Sequence, residues 1–470
     1  MVALRLCVKR VMPDQQPDIL QIYTGGYEKG EWYSVFENFG MPNMFSTLQH
    51  GPHAARRRML ANIYARSTIL ASEALSRMSE VLLCHRLLPR IETSQGQTIE
   101  AYEMFSGAAV DFVTAYIFGL KNGSNFIQDP AYCKQYLLEF KSRQKYFFWP
   151  HELPQVLDFA RMLGLQHRII PKWVDRCNER LDQWLLDMAD GAEKTINDPE
   201  ALTDPANDPV VYRQLRSSLK RLEGSSGAKK CGDSISNTQR LAIASETQDH
   251  ALAGIDTTGI TLTYLAWELS KPENIQMQAR LQKELQSVRP AYRPAMAEKD
   301  RVPTPDAKDV DALPYLHAVL METLRLHAAI PGGQPRITPH DASLGNAKAP
   351  VTGLPSKVRV SSNAFCLHRN PEVFPVPHAW QPERWLDAHG KVDAGGEKAR
   401  WFWAFGSGGR MCTGSNLAMV EMKGIVAAIW SNYRSILIDD SGMQHADGYL
   451  SEPKGSPDGN FLLLRFEAAS

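Results

Sequence analysis

Phe405-Gly406-Ser407-Gly408-Gly409-Arg410-Met411-Cys412-Thr413-Gly414 runs directly into a helix-forming stretch over 415–433. The four glycines allow a tight loop and let backbone come close to a bulky ligand. Cys412 stands just ahead of the helix, where the helix dipole and the N–H groups of a tight loop favour a thiolate. Arg410 suits the anionic edge of a ligand, and Phe405 can shield the sulfur. A glycine-rich loop before a helix also cradles phosphate. That alternative is the weaker one, because no Gly-Lys-Ser/Thr follows and coil, rather than strand, leads in.

Working outward, the chain reads as mainly helical with small sheets, an α+β class. Helices are predicted over 54–80, 99–120, 171–189, 238–270, 276–287, 314–327 and 415–433, with a shorter one within 211–222. Over 171–189, Trp173, Cys177, Leu181, Trp184, Leu185 and Met188 recur at three- and four-residue spacing and form a core-facing stripe. The segment 223–237 is polar and reads as a mobile surface loop. Gly254 interrupts the longest helix, and a mid-helix glycine costs about 1 kcal/mol relative to alanine. With Asp256, Thr257 and Thr258 beside it, a local distortion or a close approach is expected there. Short strands are expected over 351–361, and 368–403 reads as largely irregular.

Bulk properties narrow the function. Lys plus Arg and Asp plus Glu both number 52, so the net charge of zero supplies no field for nucleic acid. The seven cysteines are odd in number and follow no framework, which fits reduced thiols facing a cytosol. The opening Met-Val-Ala-Leu-Arg-Leu-Cys-Val-Lys-Arg is too short for a signal core, and no window reaches the ~20 apolar residues of a spanning helix. As written, the chain is expected to be soluble.

The pattern Phe-Gly-x-Gly-x-Arg-x-Cys-x-Gly over 405–414 resembles the heme-binding loop of the cytochrome P-450 superfamily, the heme-thiolate monooxygenases. Three further motifs follow in the family's order. Ala253-Gly254-Ile255-Asp256-Thr257-Thr258 resembles the central-helix motif over the distal heme face. Glu322-Thr323-Leu324-Arg325 resembles the E-x-x-R pair, and Pro382-Glu383-Arg384-Trp385 the element that completes it. The likeness runs over residues 18–464 and is greatest to fungal members. It implies a single P-450 domain over 1–470, with heme between the long central helix and the cysteine loop. It also implies that the membrane anchor and first sheet strands of fungal microsomal members are missing from this sequence. Such relatives would be anchored to the endoplasmic reticulum, facing the cytosol.

The resemblance assigns roles residue by residue. Cys412 would be the axial ligand of heme b (iron protoporphyrin IX), and thiolate ligation favours heterolytic O–O cleavage. Arg410, His53, Arg57, Arg336 and His368 would face the heme carboxylates. Phe405 and Gly414 would shape the loop, and Ala253 and Gly254 would line the distal face. Asp256 and Thr257 would be the acid–alcohol pair that delivers protons. Glu322, Arg325 and Arg384 would form a buried ion network. Partners would be O2, an apolar small molecule and NADPH-cytochrome P-450 reductase, with cytochrome b5 as an auxiliary donor.

Trp32, Tyr33, Phe36, Phe39, Met44, Phe45 and 146–149 would contribute to an apolar pocket, with core packing as the competing account. The expected reaction is hydroxylation or epoxidation in fungal secondary metabolism. The alternatives are an isomerase, dehydratase or peroxygenase on the same scaffold, or a non-catalytic heme-binding relative.

Overall fold

The computed structural model describes residues 19–225, 235–297, 300–345, 350–393, 395–446 and 448–469. The main helices are α1 (His50–Leu60), α2 (Ala101–Phe118), α3 (Pro130–Ser142), α4 (Lys172–Ile196), α5 (Val210–Ser225), α6 (Asn237–Ser270), α7 (Ile275–Leu285), α8 (Pro314–Leu326) and α9 (Ser415–Trp430). Three small antiparallel sheets accompany them. In the first, β1 (Thr98–Glu100) and β6 (Tyr433–Asp439) flank β7 (Leu463–Ala468). The other two pair β2 (Arg336–Ile337) with β5 (Arg359–Val360), and β3 (Ala342–Leu344) with β4 (Val351–Leu354).

Where the expected helices are present, they differ from expectation mostly at their ends. The stretch 54–80 breaks after α1 into Arg66–Leu70, Glu73–Ser79 and a π-turn Glu80–Leu87. Tyr433 leaves the last helix and begins β6. Helix α3 and the strands β1, β6 and β7 were not expected. The loop expected over 223–237 lies largely outside the described residues. Among the described cysteines, Cys84, Cys133, Cys177, Cys366 and Cys412 are free thiols. No described helix is long and apolar enough to cross a membrane.

Two apolar clusters hold the elements. The larger joins α2, α6, α8 and α9, while the smaller gathers Tyr23, Val360, Phe374, Trp385, Trp401 and Trp403 beside β2 and β5. Helix α2 is buried all round, and so is most of α6. A helix without a polar face has to sit in the middle of the molecule. Helix α6 starts on a capping box, with Ser236 and Gln239 satisfying each other's backbone N–H groups.

Helix α6 runs unbroken through Gly254. The glycine is needed for a close approach by α2: a Cβ there would lie 2.7 Å from Val113 Cγ2. Gly259 repeats the arrangement against Ser106, at 2.8 Å from its Oγ and 3.0 Å from its Cα. The expected close approach is therefore a helix crossing, and Gly254 does not open the helix toward a ligand. Gly254→Ala should overpack this crossing and cost about 1–3 kcal/mol. Chemical denaturation should show that loss, and Val113→Ala in the same chain should recover most of it.

Candidate active site

The segment between β5 and α9 turns back on itself so that Cys412 lies at the mouth of α9. Gly406 and Gly408 adopt left-handed φ values of 70° and 68°. At Gly408 even a methyl group would lie 2.3 Å from the carbonyl oxygen of Tyr23, so only glycine fits. Phe405 O accepts the Cys412 N–H at 2.9 Å and closes the loop.

Protein crowds Cys412 enough to desolvate the thiol, yet the residue carries accessible surface. It therefore faces an interior cleft. Burial pushes the thiol pKa up, and the N–H groups of Gly414 and Ser415, together with the Arg57 charge, pull it back down. A cation bound at the sulfur would complete that stabilisation.

Basic side chains ring the same cleft. Arg57 donates to Met411 O at 2.8 Å and so clamps the cysteine loop to α1. Arg410 donates to the Thr47 and Leu48 carbonyls at 2.6 Å each. Arg336 is buried and donates to Tyr33 Oη at 3.0 Å. Lys29, which no motif marked, is buried over the rings of Tyr33 and Phe45.

These cations disfavour one another. Burial, then Arg336 and Arg410, pulls the Lys29 pKa well down. Burial, then Arg410, Lys29 and Arg57, lowers His53 to about 3. Burial and then Arg336 lower Arg410 to about 10. Among the described residues, no carboxylate stands within ion-pair distance of Lys29, Arg57, Arg336 or Arg410. A group of mutually repelling, half-dry cations is stable only with an anionic partner. Heme meets both requirements, with iron for the thiolate and two carboxylates for the cations.

The opposite wall is α6. Its residues Asp249, Ala253 and Thr257 fall at four-residue spacing on one face. Ala253 is exposed and Thr257 half-buried in the middle of a helix that is mostly buried, so this face lines the cleft. The Thr257 hydroxyl donates to Ala253 O at 2.9 Å.

Asp256 points elsewhere. It is buried, with Gln144 Nε2 at 3.4 Å and Lys141 Nζ at 3.9 Å. Burial raises its pKa to about 6 against the opposing pull of Lys141. The acid and the alcohol thus stand on different faces of one helical turn.

Behind the cysteine loop, Glu322 accepts from Arg325 Nε at 2.8 Å and Nη2 at 2.7 Å, and from Arg384 Nε at 2.9 Å. Two further donors complete the set, the Gln381 N–H and Trp385 Nε1, each at 2.9 Å. Glu322 and Arg325 have no exposed side-chain surface.

His368 departs from its expected place at a heme carboxylate. Its Nδ1 lies 2.8 Å from Arg325 O and its Nε2 accepts the Trp403 N–H at 2.7 Å. Both ring nitrogens are spent on backbone, and burial holds the ring neutral with a pKa lowered to about 3. Its work is to tie α8 to the segment leading into the cysteine loop.

The cytochrome P450 family model matches residues 30–454. The chain belongs to the cytochrome P450 family. Three relatives are matched over most of their own length. Cytochrome P450 monooxygenase avaI of Aspergillus versicolor is 25% identical over 415 residues, covering 85% of this chain and 86% of its own. Cytochrome P450 monooxygenase sdnE of Sordaria araneosa is 26% identical over 458 residues, covering 93% and 81%. Cytochrome P450 monooxygenase MO6277 of Ascocoryne sarcoides is 25% identical over 460 residues, covering 94% and 81%.

This P450 is a monooxygenase, an oxidoreductase that uses heme, dioxygen, a substrate and electrons from a redox partner. Lys29, the bond from Arg336 to the Tyr33 hydroxyl, and Lys141 and Gln144 at Asp256 escaped sequence reading. Arg336 meets Tyr33, and Lys141 and Gln144 meet Asp256, across long stretches of chain that no local spacing marks, while Lys29 stands four residues from Tyr33 but belongs to no motif.

Proposed function

We propose that this P450 hydroxylates or epoxidises an apolar organic molecule in fungal secondary metabolism, with NADPH electrons passed by NADPH-cytochrome P450 reductase and assisted by cytochrome b5. The observation that carries this reading is the accessible thiol of Cys412 at the mouth of α9, close enough to α6 to feel the charge of Asp249, which shares a helix face with Ala253 and Thr257. When bound, heme supplies the one-electron chemistry that activates dioxygen.

The chain's own groups divide the remaining work. Cys412 ligates iron, aided by the Gly414 and Ser415 N–H groups. Arg57, Arg336, Arg410, Lys29 and His53 hold the heme carboxylates. Thr257 positions water, and Asp256 carries protons from the solvent side. The apolar substrate is supported by rings at the cleft's edge. Trp32 lies 5.7 Å from Tyr449 and 4.5 Å from His151, and Phe36 lies 4.9 Å from Phe45.

Attachment to the endoplasmic reticulum, facing the cytosol, is supported by one exposed apolar face. Phe148, Val156, Phe159, Met162 and Leu165 project from the short helices following α3. Val156, Phe159 and Met162 recur at three-residue spacing on one of these helices, and such an exposed apolar stripe suits a bilayer surface.

The test uses heme-loaded protein in phospholipid vesicles. A red-shifted Soret band of the reduced carbon monoxide complex is expected, as is product formation that requires both NADPH and reductase. The protein should float with the vesicles. Full turnover on peroxide with no gain from reductase would overturn the reading.

A further inference from the structure

Asp256 sits in a charge arrangement of three elements. Lys141, in the last turn of α3, approaches Asp256 Oδ1 at 3.9 Å. The same ammonium bonds directly to Glu452 and to the Tyr102 hydroxyl. Tyr102 also donates to Glu452 Oε2 at 3.1 Å, and its ring lies under the ammonium at 4.3 Å.

Glu452 belongs to a hairpin near the C-terminus, where the Ala446 N–H meets Glu452 O at 2.8 Å and the Lys454 N–H meets Gln444 O at 2.7 Å. Side-chain exposure falls from 20% at Glu452 to 15% at Lys141 and 6% at Asp256, so the row runs inward from solvent.

One lysine thus stands between two carboxylates and is bonded to the outer one. A carboxylate that pairs fully with a cation gives up its affinity for a proton. We propose that Lys141 and Glu452 are positioning residues for Asp256: Glu452, seated with Tyr102, holds the ammonium off the aspartate and so keeps the aspartate able to carry a proton at neutral pH. The other groups acting on Asp256 are Arg143 and Gln144 just past α3. Tyr136 on α3 lies close enough to feel its charge. Arg143 and Gln144 favour the ionised form, and burial and Glu452 oppose it. The assignment rests on the reading of Asp256 as proton carrier, and its test separates the two.

The test is an infrared titration of the ferric resting protein. It follows the carboxylic acid C=O band that disappears in Asp256→Asn. Glu452→Gln frees the lysine and removes a negative charge, so the midpoint should fall by about one pH unit. Lys141→Met removes the cation, and the midpoint should rise by a similar amount. Lys141→Arg should return it near the wild-type position, which separates charge from loss of packing.

Turnover should follow. The alkaline limb of the kcat profile should move down in Glu452→Gln and up in Lys141→Met, with KM little changed. Midpoints that stay put, or that move in the same direction in Glu452→Gln and Lys141→Met, overturn the proposal. Opposite shifts combined with normal turnover of Asp256→Asn would uphold the lysine arrangement and remove the proton-carrier reading instead.

Discussion

Cys412→Ser is expected to reduce turnover to background and to erase the red-shifted band of the reduced carbon monoxide complex, while the polypeptide fold survives. Serine differs from cysteine by a single atom and the side chain borders a cleft, so the swap leaves no cavity in the core. The Gly414 and Ser415 N–H groups that now support the sulfur would serve a hydroxyl equally well. What changes is the donor atom: an alcohol does not ionise under these conditions, whereas a thiol with pKa of about 8.5 does so once a metal and two N–H groups favour the anion. The apoprotein's denaturation midpoint should therefore stay within about 0.5 kcal/mol of wild type. A serine variant that kept the thiolate spectrum and oxidised substrate would refute the site.

Glu322→Ala is expected to prevent recovery of heme-loaded protein at all. Its carboxylate satisfies five donors, two of them on Arg325 and one on Arg384. Truncation leaves two guanidinium groups without their counter-charge in a region with almost no water, at a cost of about 3–5 kcal/mol. Whole-domain stability is about 5–15 kcal/mol, so that loss is a large share.

The damage also reaches the cysteine loop. Arg325 Nη1 holds the carbonyls of His368 and Pro377 at 2.8 Å each, and the His368 ring in turn receives the Trp403 N–H. Gly406 N–H then bonds back to Trp403 O at 3.0 Å. Denaturation curves and heme absorbance should both report the failure. A Glu322→Ala protein with wild-type stability and full heme content would show that the network is dispensable.

The four motifs were legible because each is local. The loop 405–414 needs glycine where φ is positive, and Glu322 and Arg325 meet across one helical turn. The cations proposed for the heme carboxylates were legible only in part. His53 and Arg57 share a helix face toward the cysteine loop. His368 was misplaced because position alone does not say that both ring nitrogens meet backbone, one from Arg325 and one from Trp403. Gly254 was noticed for the right reason, a close approach, but the approaching body is Val113 of α2. Nothing in the spacing of α6 could reveal which neighbour lay against it.

Taken alone, the order of residues determined the family, the helical class, the tight cysteine loop and the buried Glu-Arg-Arg network. These depend on short-range geometry: backbone torsion at glycine, i to i+3 neighbours on a helix, and a thiol just ahead of a helix. Tertiary structure decided which cations gather beyond ion-pair distance of any described carboxylate, which face of α6 lines the cleft, and which lysine attends Asp256. Those outcomes depend on electrostatics and packing between segments hundreds of residues apart, and such contacts exist only once the chain has closed around its core.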